Sequence, residues 1–239
     1  MKHFENYFFI KRLFDILISS VAILLLSPIF LVIIVLLKFT GEGHVFYLQD
    51  RVGYKNKRFK IWKFATMLVN SPNLATGDVT IKNDPRLLPM GKFLRKTKLN
   101  ELPQLINLIK GDMTLVGPRP LMPAGFERYS EYVQHRIYNV KPGVTGIGSI
   151  IFRDEESIVS QSSNYEATYQ KINNFKGNLE LWYQRHRSTL TDINLLFLTA
   201  WVIFRPNSKL VYKIFPTLPQ LDKREMINIP VKYTSTIAV

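Results

Sequence analysis

The sequence predicts a predominantly helical α+β protein, monotopic in a membrane, with one N-terminal helix in the lipid and a small β-hairpin. Three observations carry that prediction. Residues 16–37 form 22 consecutive uncharged positions, nearly all Leu, Ile, Val or Phe. At about 1.5 Å per residue they are long enough to cross a hydrocarbon core of roughly 30 Å. Apolar residues recur at helical spacing in later segments, whereas the hairpin-like pattern falls at residues 45–64. Lys and Arg number 32 against 18 Asp and Glu, a net charge of +14. Such an excess suits polyanionic partners: lipid head groups, nucleic acid or phosphorylated substrates.

The apolar run carries Ser27-Pro28 at its middle. Pro28 has no N–H for the Leu24 carbonyl, and the Ser27 hydroxyl can serve part of the freed backbone. Lys2, Lys11 and Arg12 precede the run; Lys38, Arg51, Lys55, Lys57, Arg58, Lys60 and Lys63 follow it. Basic flanks at both ends are both drawn to the cytoplasmic side. A re-entrant helix that breaks at Ser27-Pro28 and returns to the same face satisfies both; a kinked, tilted span with the larger flank dominant is the alternative. A cleaved signal peptide does not fit, because the run is too long and no small-x-small site follows.

After two turn glycines, Gly41 and Gly43, residues 45–48 read as a strand, 55–57 as a turn and 59–64 as a second strand. The pair is expected to be a hairpin with one basic face. Residues 70–84 read as a surface loop, and 84–93 as a helix-like lead into the central element. That element has Leu102, Leu105, Ile106 and Ile109 on one helical face, Asn100 as N-cap, Pro103 in the first turn and Gly111 at the end. Its start, with Arg95, Lys96 and Lys98 upstream, is expected to bind an anion such as phosphate, with Glu101 able to hold a divalent cation. Arg119, set between Pro118 and Pro120, is a second phosphate-binding candidate. An ordinary capped helix followed by a turn is the plain alternative.

Further on, residues 124–139 are expected to form one amphipathic helix, 144–152 a strand or extended loop, and 165–186 a helix. Arg153 to Glu156 is the densest acidic cluster and reads as a solvated helix start. Residues 192–204 are strongly apolar but too short to span, and fit an amphipathic helix in the membrane interface. The organisation expected is a membrane-embedded re-entrant helix over 1–40, a domain with interfacial helices over 41–205, and a C-terminal extension over 206–239. There is no cysteine, which excludes disulfides, thiolate catalysis and cysteine zinc sites. The four histidines lack ligand spacing.

Taken together, these residues resemble the bacterial sugar transferases, the monotopic polyprenyl-phosphate phosphoglycosyltransferases. The likeness runs from Lys11 to Arg205. It rests on Lys-Arg-Leu-Phe-Asp at 11–15, Ser-Pro at 27–28, Arg-Val-Gly at 51–53, Phe-Lys-Ile-Trp-Lys-Phe at 59–64 and Asp-Pro-Arg at 84–86. It continues through Glu-Leu-Pro-Gln-Leu at 101–105, Lys-Gly-Asp-Met at 110–113, Gly-Pro-Arg-Pro at 117–120, Lys-Pro-Gly-Val-Thr-Gly at 141–146 and Asp192-Ile193. The resemblance implies transfer of a sugar 1-phosphate from a nucleotide diphosphate sugar, such as a UDP-sugar, to undecaprenyl phosphate in the assembly of exopolysaccharide, O-antigen or glycoprotein glycans. It also implies Mg²⁺ as cofactor, a bacterial inner-membrane location with the catalytic domain on the cytoplasmic face, and no nucleic-acid partner.

Carried over by position, the resemblance puts Glu101, Asn100 and Arg95 at the catalytic centre. It makes Glu101 and Asp112 the metal candidates, and Lys63, Arg86 and Arg119 the phosphate-binding ones. This chain departs from the family at two places: Asn100 stands where an aspartate nucleophile is usual, and Ala65 where arginine is usual. An amide is no nucleophile toward phosphorus. Three outcomes are open: another acid (Glu101, Asp84, Asp112 or Asp154) replaces it, the lipid phosphate attacks directly, or the chain binds substrates without turnover. In the last case it is a weak or inactive homologue or a membrane assembly partner. A nucleic-acid-binding protein is disfavoured, since no helix-turn-helix, RNP or zinc pattern is present.

Overall fold

The computed structural model describes residues 2–71, 84–160, 162 and 164–220. Its contacts divide the chain into two compact units, Met1–Arg51 with Arg58–Thr114, and Val52–Lys57 with Leu115–Val239.

In the first unit, helix α1 (Lys2–Phe39) runs through Pro28 without interruption. Helical structure continues across the predicted bend, and a local bond supports it. Ser27 Oγ donates to the Leu24 carbonyl at 2.7 Å, the acceptor that Pro28 leaves unserved. Tyr7, Asp15, Ser19, Ile33 and Leu37 are buried, a stripe at helical period along one side. The other sides stay bare: Leu24 and Leu25 are each 72% exposed. Residues Asn6–Phe39 are long and apolar enough to cross a membrane, so lipid is the natural cover for those faces.

Strands β1 (Phe46–Val52) and β2 (Arg58–Phe64) pair as the expected hairpin. Phe64 is buried with Ile33, Leu37 and Leu94, and stacks on Phe46 at 5.5 Å between ring centres. The single basic face is not formed. Lys60 and Lys63 are three residues apart in a period-two strand and point to opposite sides. Lys60 pairs with Asp50 at 2.7 Å, while Lys63 Nζ donates to Gln49 Oε1 at 3.3 Å.

Residues 72–83 of the expected surface loop lie outside the described residues. Residues 84–90 are not helical. The Asp84 carboxylate accepts from the backbone N–H of Arg86 at 3.0 Å, a local bond that competes with helix formation, and Leu87 forms an antiparallel bridge with Met67. Helix α2 (Gly91–Lys96) follows, then a 3₁₀ turn (Leu99–Glu101) and helix α3 (Gln104–Lys110). Gly111, at φ 86°, ends α3 as expected. Helix α3 packs on α1, and Arg12 donates to its last carbonyls, Leu108 at 2.5 Å and Ile109 at 2.6 Å, supplying partners that a helix C-terminus lacks.

In the second unit, strands β3 (Thr114–Val116) and β4 (Gly143–Thr145) pair. The helix expected over 124–139 is two: α4 (Pro123–Phe126) and α5 (Glu131–Ile137). Ser130 is extended between them, and Gln134 Nε2 turns back to the carbonyls of Glu127 at 3.2 Å and Tyr129 at 2.7 Å. Val133 and Ile137 are still buried, with Tyr129 and Tyr138. The stretch after Gly146 is helix α6 (Ile147–Ile151) rather than strand, and α7 (Glu155–Ser160) follows.

Helix α8 (Tyr165–His186) has the predicted bounds. Helix α9 (Thr189–Phe204) begins three residues before the predicted start, because the Ser188 hydroxyl accepts from the Thr191 N–H at 3.1 Å. It buries Leu195, Leu198 and Val202, and exposes Leu190, Ile193, Phe197 and Trp201. Helix α10 (Leu210–Ile214) packs on α9, so Val211, Phe215 and Leu218 enter the core. The rest of the expected C-terminal extension, residues 221–239, lies outside the described residues.

Candidate functional site

In the first unit the predicted residues sit on elements that touch. The turn holding Asn100 and Glu101 packs against both α2 and β2, the elements that carry Arg95 and Lys63. Gly91 makes the approach possible: a Cβ there would lie 2.1 Å from the Thr66 carbonyl oxygen, so only glycine lets α2 start against that backbone.

Asn100 is not an N-cap. It lies inside the 3₁₀ turn, and α3 begins after Pro103 with no side-chain cap. Upstream carbonyls take the amides an N-cap would serve: Leu105 N donates to Leu102 O at 3.1 Å, and Ile106 N to Pro103 O at 3.0 Å. The open N–H cradle expected for an anion is therefore filled by the chain itself, on a helix of only seven residues. Asn100 is 8% exposed, and its Oδ1 is enclosed without a hydrogen-bond partner among the described residues. A buried acceptor left over in this way is uncommon and costs stability. Glu101 beside it is half-buried.

The basic candidates divide. Arg95 is half-buried, with Nη1 3.6 Å from Met67 Sδ. Lys63 is half-buried on Gln49. Arg86 is buried, with Nε and Nη2 on the two oxygens of Asp84 at 2.8 and 2.6 Å and Nη1 on the Ser71 carbonyl at 2.8 Å. That geometry makes Arg86 an internal tie between residues 71 and 84–86 rather than a group offered to a soluble phosphate. Asp112 accepts from Asn107 Nδ2 at 3.1 Å and lies 3.6 Å from Lys110 Nζ. Among the described residues no group of three or more His, Cys, Asp or Glu is placed to hold a metal ion.

The face of α3 turned inward also differs from the expected one. Gln104, Asn107 and Leu108 are buried, while Ile109 is 38% exposed. Asn107 explains the rotation. Its Oδ1 accepts from Trp62 N at 2.9 Å, and its Nδ2 donates to Lys60 O at 2.8 Å and to Asp112. The amide acts as a peptide of an added strand and locks α3 to β2. A polar residue inside an apolar run was the signal that could have found it.

In the second unit Arg119 is exposed while Val116, Gly117, Pro118 and Pro120 around it are buried. The loop is tied down by backbone. Gly117 N donates to Thr145 O at 2.9 Å and Gly143 N to Pro118 O at 2.8 Å. Gly143 and Gly146 allow it, since a Cβ at either would lie within 2.3 Å of Gly117 backbone atoms. The acidic cluster is less solvated than expected: Glu155 forms an ion pair with Lys176. Glu180 is buried behind the loop, and burial pushes its carboxyl up to about 7 against the lowering pull of the Gly148 N–H and Lys176. Burial likewise lowers the Lys176 ammonium, opposed by Glu155.

With that geometry in hand, similarity to known proteins is informative. The family described as bacterial sugar transferase matches residues 6–206. The undecaprenyl-phosphate galactose phosphotransferase of Salmonella typhimurium is 35% identical over 212 residues, 82% of this chain and 41% of that protein. The UDP-glucose:undecaprenyl-phosphate glucose-1-phosphate transferase of Klebsiella pneumoniae is 37% identical over 193 residues, 80% and 39%. The exopolysaccharide production protein ExoY of Rhizobium meliloti is 39% identical over 165 residues, 63% and 73%. The chain thus spans about two fifths of the length of most of these relatives.

Proposed function

The chain belongs to the bacterial sugar transferases, and from that premise we propose that it transfers a sugar 1-phosphate from a UDP-sugar to undecaprenyl phosphate. The observation that carries this reading is the packing of the 99–101 turn on α2 and β2, which gathers Lys63, Arg95 and Glu101 in one unit. In the proposed reaction an oxygen of the lipid phosphate attacks the sugar-bearing phosphorus. The bond from that phosphorus to the bridging oxygen breaks, UMP leaves, and an undecaprenyl diphosphate sugar forms. Lys63 and Arg95 bind and orient phosphate oxygens and oppose the charge they accumulate; Arg119, in the second unit, is proposed separately as a phosphate-binding group. Asn100 brings no carboxylate to its position, which supports the lipid phosphate itself, rather than a substitute acid, as the proposed nucleophile.

Magnesium takes hard oxygen donors, commonly one or two carboxylates together with substrate phosphates. The Glu101 carboxylate and the unpartnered Asn100 Oδ1 fit that donor set and would hold it; when bound it neutralises phosphate charge. Glu101 would be the charged ligand, and the Asn100 amide oxygen a neutral second donor. The membrane geometry proposed is the re-entrant one, with α1 entering and leaving on the cytoplasmic face and the exposed apolar side of α9 lying in the interface. The basic residues before and after the apolar run support it.

The test is UMP release from a panel of UDP-sugars, with Mg²⁺ and purified protein, with and without undecaprenyl phosphate. Release that requires the lipid is expected. A burst of about one UMP per protein without lipid would instead place a covalent intermediate on another acid. No release from any UDP-sugar would refute the proposed donor.

A further inference from the structure

A tyrosine that no motif singled out anchors the backbone beside Arg119. Tyr138 is 1% exposed, and its phenol sits across Pro120. The Tyr138 Oη donates to the Arg119 carbonyl at 2.8 Å and accepts from the Leu121 N–H at 3.0 Å. Proline cannot donate a backbone hydrogen bond, so the residues on its two sides need other anchors, and one hydroxyl serves both. The upstream side of the loop is held separately, by Gly117 N on Thr145 O and Gly143 N on Pro118 O.

The phenol is itself immobilised. Its ring stacks on Phe126 with centres 5.8 Å apart. Its backbone carbonyl accepts from Lys55 N at 2.8 Å, and Val52 N donates to Leu121 O at 2.9 Å. Arg119 is therefore an exposed, long side chain on a backbone fixed at both ends. A guanidinium needs such fixing to meet phosphate oxygens two at a time, because loose positioning forfeits the bidentate geometry.

We propose that Tyr138 is a positioning residue for Arg119: its hydroxyl clamps the backbone across Pro120 and so aims the guanidinium at the diphosphate of the nucleotide sugar. This rests on the reading of Arg119 as a phosphate-binding group. The clamp acts through the Arg119 side chain, so its effect disappears when that side chain is absent.

The experiment uses full-length protein in detergent and four forms: wild type, Tyr138→Phe, Arg119→Ala and the double variant. UDP affinity is measured by equilibrium dialysis, and kcat and KM for the UDP-sugar by UMP release. Tyr138→Phe is expected to weaken UDP binding and raise KM by about fivefold to tenfold, as loss of one or two well-aligned charged hydrogen bonds would. In the Arg119→Ala background the same change is expected to do nothing further. Amide hydrogen exchange is expected to speed up at Leu121 in Tyr138→Phe while the amides of α8 keep their protection.

Unchanged affinity in Tyr138→Phe beside an impaired Arg119→Ala overturns the clamp alone. Equal losses with and without Arg119 overturn it too, by showing a general structural effect. Full affinity in Arg119→Ala overturns the phosphate reading of Arg119, and with it the clamp. Absence of any UDP binding to the wild type does the same.

Discussion

Exchanging Asn107 for aspartate is close to isosteric and reverses one of its two side-chain roles. The Oδ1 that accepts from Trp62 N survives. The Nδ2 that donates to Lys60 O at 2.8 Å and to Asp112 Oδ2 at 3.1 Å becomes an oxygen facing two oxygens. Alanine at the same place removes all three bonds and leaves part-buried partners, at about 1–2 kcal/mol for each of two backbone groups, or roughly 3 kcal/mol. Aspartate should cost at least as much at about pH 8, because attraction to Asp112 turns into repulsion between charges about 3 Å apart. Protonating the new carboxyl restores a donor, so the loss should shrink toward about pH 5.

Thermal unfolding in detergent, followed through tryptophan fluorescence, reads this as a Tm drop of about 6–12 °C, at roughly 2–4 °C per kcal/mol for a chain of this size. An aspartate variant within about 0.5 kcal/mol of wild type at about pH 8 would refute the idea that Asn107 holds α3 to β2 through its amide.

Three more expectations follow from the same geometry. Glu180 titrates near 7 in the fold against an ordinary 4.5, so the fold binds its proton more tightly. Stability should fall as pH climbs between those values, by up to about 3 kcal/mol, and flatten above. Glu180→Gln should remove that slope in urea titrations across the window. Glu101→Gln should cut UMP release at least about 100-fold while Tm shifts by less than a few degrees, since a half-buried carboxylate is lost without loss of volume; a near-wild-type rate contradicts its assignment. On the re-entrant geometry proposed above, Pro28→Ala should relieve the bend in α1 and carry the N-terminus across the membrane. Two-sided labelling of a cysteine placed at Lys2 decides between the two topologies.

What the sequence discloses follows from how far away the deciding partner lies. The bounds of α8 and the service of the Leu24 carbonyl by Ser27 depend on neighbours within one turn, and both are legible in the string. Asn100 looks like a cap by composition, yet carbonyls from residues 102 and 103 take the amides first. Arg86 looks like one more cation until Asp84 folds back onto it. The partners of Asn107 and Tyr138 are not legible in the string, because they lie 45 and 17 positions away respectively. The single basic face expected of β2 fails for a simpler reason: Lys60 and Lys63 lie an odd number of positions apart, and such positions face opposite sides of a strand.

The hairpin has a bearing on how the polypeptide can be made and cut. Its arms belong to one unit and its tip, residues 52–57, to the other; Asn56 Nδ2, for example, donates to the Gln134 carbonyl 78 residues downstream. During synthesis the tip is ready long before its acceptors leave the ribosome, so the hairpin must wait, its polar groups wetted, until the later segment arrives. No single proteolytic cut or expression boundary separates the units cleanly. A fragment starting at residue 115 would lack the amides that meet Leu121 and Tyr138. Anyone dissecting this protein should exchange the tip for a grafted turn rather than shorten the chain.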